Sequence, residues 1–249
     1  VSILIQFVLR LSFGLALGMA LTPPRQVTSG YYRNHLYVLL GLNVLATLAA
    51  LGGSDRWAYL LPLAAAILSY AGSVCWLYEK PRAGLVALVL VAAVSLAGAW
   101  QTTDWQRATD ATATILSALD PLTGGLVLGF TMAAMFLGHW YLNSPTMAIE
   151  PLKRLVVITG GAVCLRGVVE AIGLAVGLSA ATPDTAQLLF LALRWLSGIF
   201  GALVLAVMAY RTLLVPNTQS ATGILYVCVI ATFLGELAAL LLGVPTSSL

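Results

Sequence analysis

Eight times along this chain an apolar run reaches the length that a bilayer demands of a helix. A spanning helix takes about 20 apolar residues. The runs cover 1–21, 35–53, 58–78, 83–100, 121–142, 155–178, 185–210 and 221–242. Soluble domains carry about 25% charged residues. Here 8% of the 249 residues are charged and 60% are hydrophobic. A soluble fold cannot hide that much apolar surface, so lipid is the expected solvent for most of it. The expected fold class is all-α, a polytopic membrane protein of about eight transmembrane helices in a single integral membrane domain, 1–249.

The loops set an expected orientation. Arg25, Arg33, Lys80, Arg82, Lys153, Arg154 and Arg211 fall in one set of alternate loops, and Arg56 and Arg107 in the other. Basic loops stay in the cytoplasm. Both termini are then expected outside, in a multi-pass protein of the cell inner (plasma) membrane. The net charge of +3 is small. No basic run with interleaved aromatics exists, so no nucleic-acid partner is expected. Cys75, Cys164 and Cys228 lie inside apolar runs and form no CxxC, which suits small buried hydrophobes better than a thiol-redox pair.

Turn residues punctuate the spans. Pro121 and Pro183 are expected in first helical turns, where proline is tolerated. Ser220 is expected to cap the last helix. The outer segment 101–120 has three readings: a surface helix, a docking surface or a plain linker. A faint repeat relates Leu17-Gly18, Pro24 and Arg33 to Leu137-Gly138, Pro145 and Arg154, with nine residues from proline to arginine in each copy. It suggests two parallel four-helix repeats, 1–100 and 121–242.

Two constellations could carry chemistry. The first is the pair of histidines, His35 and His139, both expected near the cytoplasmic face. Imidazole at membrane depth needs a partner or a ligand. Two imidazoles from facing helices could hold the iron of haem b. Alternatively, Asn34, Asn143 and Gln219 at the same face could join the histidines in binding a quinone head group. Ordinary interfacial histidines are the plainer alternative. The second constellation is a set of charges inside the spans: Arg10, Arg166, Glu170, Arg194 and Glu236. Arg166 and Glu170 stand four apart and share a helix face. The expected contacts are Arg166–Glu170 and Arg194–Glu236, leaving Arg10 without a carboxylate. This set could relay protons, hold a solute or simply lock helices together. If it is a lock, Glu170→Gln harms assembly more than turnover.

In helix number and possible four-plus-four arrangement the chain resembles the quinol-interacting membrane subunits of the polysulfide-reductase type. The resemblance is one of helix count, and no residue is carried over from it. Three functions stand open at this point. One is a subunit of a respiratory or other electron-transfer complex, binding haem or quinone and other membrane subunits. Another is a small-solute or proton-coupled transporter using the charges. The last is a non-catalytic scaffold.

Overall fold

The computed structural model describes residues 2–53, 55–105, 110–144, 146–180, 184–215 and 217–243. Expectations resting on Arg107, Pro145 and Pro183 lie outside the described residues. Among those described, the chain forms eight helices. They are α1 (Ser2–Leu21), α2 (Ser29–Ala50), α3 (Arg56–Leu77), α4 (Pro81–Gln101), α5 (Ala111–Asn143), α6 (Glu150–Ala180), α7 (Thr185–Leu214) and α8 (Thr218–Leu242). Seven are long and apolar enough to cross a membrane. The other, α2, has 22 residues, but Arg33, Asn34, His35 and Asn43 make it less apolar. It still has to return the chain from the end of α1 to the start of α3. The chain is an all-α, multi-pass membrane protein, and its apolar faces are fit to meet lipid.

The helices form two up-and-down rings. In the first, α1 through α4 each touch the next and α4 closes on α1. In the second, α5 through α8 do the same, in the same order. The rings meet along α1 and α5. Small residues make that seam: a Cβ built on Gly14 would strike the backbone of Gly125, and one on Gly129 would strike the backbone of Gly14. Glycine lets two backbones touch where lipid supplies no hydrophobic drive for association. The largest apolar cluster runs through this seam, from Phe13, Leu15 and Met19 to Ala133, Ala134 and Leu137. Ile67, Val86, Leu189, Leu196 and Val204 are among the large apolar side chains left exposed on outer helix faces.

Several boundaries differ from the sequence reading, each for a local reason. Pro121 is not in a first turn. Asp110 caps α5 by accepting from the Ala113 N–H at 2.7 Å, so the helix starts at Ala111 and carries Pro121 within it. Within the segment 101–120, Gln101 therefore ends α4 and 111–120 are the first turns of α5. At 33 residues, α5 is about 50 Å long, more than the roughly 30 Å hydrocarbon layer needs. Asn217, not Ser220, caps α8: its side chain accepts from the Ser220 N–H at 3.0 Å. Asp184 and Gln187 form a reciprocal capping box at the start of α7. Asp55 caps α3 and ties it to α4. Its carboxyl is held below the usual carboxylate range by the Gln101 side-chain amide and the Trp57 N–H. Cys228 is buried, whereas Cys164 is exposed on α6.

Candidate functional site: a buried network of ion pairs

Five helices contribute charged side chains to one network inside the bundle. Arg10 comes from the middle of α1, Asp120 from α5, Arg166 and Glu170 from α6, Arg194 from α7 and Glu236 from α8. Arg166 is the hub and is 1% exposed. Its Nε and Nη2 donate to the two oxygens of Glu236 at 2.8 and 2.9 Å, the side-on fork that suits a carboxylate. Its Nη1 lies 2.8 Å from Asp120 Oδ1 and donates to Thr123 Oγ1 at 3.0 Å. Glu170 Oε1 is 2.9 Å from Arg166 Nε, and its other oxygen contacts Arg194. Arg10 completes the set. Its Nη2 donates to Asp120 Oδ2 at 2.6 Å, its Nε to Gln6 at 3.1 Å, and its Nη1 lies 3.9 Å from Glu236 Oε2.

The network holds three arginines and three carboxylates, so its formal charge is zero. That balance is what burial requires. One charge at the centre of a membrane helix costs at least about 2.5–3.5 kcal/mol on insertion scales. The expected Arg166–Glu170 contact is present. The expected Arg194–Glu236 contact is not: Arg194 reaches Glu170, and Arg166 takes Glu236. Arg10 also differs from expectation, because it has a carboxylate in Asp120. Sequence reasoning missed Asp120 because Pro121 beside it looked like the start of a helix. The available signal was one of balance, since three arginines inside the spans faced only two glutamates.

Two supporting residues were also missed. Gly124 faces Glu236, and a Cβ there would sit 2.5 Å from Glu236 Oε2 and 3.3 Å from Arg10 Nη1. Glycine here makes room for a carboxylate, whereas Gly125 and Gly129 make room for a helix. Gln6 orients Arg10 from one turn away. Its amide nitrogen donates to Ala99 O at 2.8 Å and to Thr102 Oγ1 at 2.9 Å, tying α1 to the end of α4.

A cavity of about 510 Å³ leads to the network from the end of the bundle where α1 begins. Gln6, Arg10, Thr102, Thr103, Ser117 and Asp120 are among the residues that line it. Asp120 has a side chain 37% exposed, against 3% for Arg10. A stretch of π-helix, Arg194–Gly201, interrupts α7 where its arginine joins the network. Such wide turns are rare and gather at functional sites. Beside it, Gly198 and Gly235 bring α7 and α8 into backbone contact.

The histidines lie at the opposite end, against different neighbours. His35 is buried in α2 and donates from Nδ1 to Tyr31 O at 2.6 Å. Its ring stacks on Phe136 at 4.4 Å and meets Trp140 edge-on at 6.2 Å. His139 is exposed on α5, with Nδ1 3.2 Å from the Tyr226 hydroxyl of α8. Successive helical residues point about 100° apart, so Trp140 facing α2 turns His139 elsewhere. Asn34, Asn143 and Gln219 are exposed near the same end.

No protein-family model, no curated protein and no solved structure matches this chain.

Proposed function

We propose that the chain is a small-solute or proton-coupled transporter whose working part is the network of Arg10, Asp120, Arg166, Glu170, Arg194 and Glu236. One observation carries the reading. Every arginine in the network has a carboxylate in contact, and Arg10 and Arg166 each have more than one within 4 Å. Small movements of the helices can re-pair these charges without stranding any of them. A pure lock needs no such choice of partners, and it needs no cavity leading to it. In this reading the basic end lies in the cytoplasm of a cell with the chain in its plasma membrane. Both termini and the cavity then face outside. The two rings, entered in the same order, support treating the chain as two parallel four-helix repeats.

A redox role, with haem b or a quinone at His35 and His139 and other subunits around the chain, has less support in the geometry. The imidazoles serve separate sets of neighbours, and Phe136 covers one face of His35. A Soret band in the purified protein, lost in His139→Ala, would restore that role.

Purified protein in phospholipid vesicles tests the transport reading. Vesicles on a solid-supported electrode, with a pH-sensitive dye inside, are exposed to a panel of small amino acids, carboxylates, amines and inorganic ions. At least one solute is expected to drive charge or proton movement well above protein-free vesicles. No movement with any solute, from either side, contradicts the reading.

A further inference from the structure

We infer that the cavity takes a small carboxylate in place of Asp120, so that Asp120 is the chain's own stand-in for the substrate. The inference deepens the transport reading and rests on it for the ligand's being carried. It starts from how Asp120 is held. One carboxylate bridges two guanidiniums from two other helices: Oδ2 to Arg10 at 2.6 Å and Oδ1 to Arg166 at 2.8 Å. An organic acid bound by this pair of arginines would adopt the same arrangement.

Burial decides which partner gives way. Arg10 and Arg166 are 3% and 1% exposed, so their charges rest on carboxylates more than on water. Asp120 faces the cavity and can be rehydrated by a change of side-chain rotamer. A cationic solute that drew Asp120 away would leave Arg10 with only Glu236, 3.9 Å off, and three buried guanidiniums facing two carboxylates, a net charge that a low-dielectric interior disfavours. An anion that displaces Asp120 leaves both arginines paired. A flat oxyanion with two equivalent oxygens repeats the bonds it replaces, whereas chloride offers one spherical acceptor. Glu236 stays on Arg166 and within 3.9 Å of Arg10, so the displaced network keeps its core pairing.

The remaining lining suits the rest of such a molecule. Thr102, Thr103 and Ser117 offer hydroxyls, while Ile3, Leu116 and Leu240 offer apolar contact. Ile3 also borders an apolar groove between α1 and α8, lined by Leu4, Phe7, Phe233, Leu234 and Leu237. The carboxylate therefore belongs either to a short water-soluble acid held within the cavity or to an acid whose alkyl chain lies in the groove.

Acetate and hexanoate distinguish the two sources, with chloride and choline as controls. The Ser117→Cys variant is labelled in detergent with a hydrophilic maleimide, and mass spectrometry follows the peptide bearing that cysteine. Carboxylates are expected to slow its labelling in a saturable way. Hexanoate acts at lower concentration than acetate if the groove takes a chain, and at a similar one if it does not. In the Asp120→Asn variant the internal competitor loses its charge, and carboxylates are expected to bind about tenfold more tightly in thermal-shift titrations. If that variant fails to fold, the labelling experiment alone decides. Labelling untouched by either acid, or slowed equally by chloride, overturns the inference. Carboxylate binding without charge or proton movement would remove the transport reading and keep this site. Currents driven only by other solutes would do the reverse.

Discussion

Arg166 shows most directly what one side chain does in this bundle. Removing its charge leaves Glu236, Glu170 and Asp120 short of a partner inside the membrane domain. Breaking a buried pair from one side costs roughly 3–5 kcal/mol in soluble proteins. Arg166→Gln is expected to lower the thermal unfolding midpoint strongly, read by tryptophan fluorescence in detergent. Gly124 makes a finer test. Gly124→Ala puts a methyl group 2.5 Å from Glu236 Oε2. It is expected to push Glu236 off the fork with Arg166, reducing transport far more than it reduces folded yield. Part of this site was legible in the sequence. Arg166 and Glu170 stand one turn apart, and a shared helix face follows from spacing alone. Glu236 and Asp120 were harder to place. Which arginine they meet depends on the rotation of α8 and α5 about their axes, and that rotation is set by packing that no single helix reveals.

At the scale of elements, the same residue type serves opposite purposes in different helices. The Gly14, Gly125 and Gly129 seam lets α1 and α5 touch backbone to backbone. Gly14→Val is expected to destabilise the protein by about 3 kcal/mol, the upper part of the overpacking range, because the opposing atoms are backbone and cannot swing away. Gly160 and Gly161 in α6 face open space and pack against nothing. α6 runs unbroken through that pair. Gly160→Ala is therefore expected to leave stability unchanged or raise it by up to about 1 kcal/mol through helix propensity. The contrast was hidden because glycine frequency does not say which face of a helix meets a neighbour. Helix ends were poorly legible, because the caps that set them, Asp110 and Asn217, stood near equally plausible starts at Pro121 and Ser220. Pro121 misled because Asp110, eleven residues earlier, had already started the helix.

The whole molecule is two four-helix rings joined at one seam, and the network lies where the second ring meets α1. Hydropathy made the membrane-spanning class plain, since runs of about 20 apolar residues leave a chain few other options. It did not reveal the rings, because uniformly apolar helices carry little information about which neighbour they choose. The position of the network has a mechanical consequence. Arg10 belongs to the first ring, while its carboxylate partners, Asp120 and Glu236, belong to the second. If the network carries a solute, re-pairing Arg10 between them would move the seam and turn a local exchange of charge into a change in access. The measurement that bears most directly on this claim is solute-evoked charge movement in vesicles holding Glu236→Gln protein that is matched to the wild type in content and elutes as it does on gel filtration. The account predicts that the folded variant loses most of the charge movement, because an ionisable residue inside the membrane marks a substrate or ion path. Wild-type currents from the folded variant would show that the network holds the helices together and carries nothing.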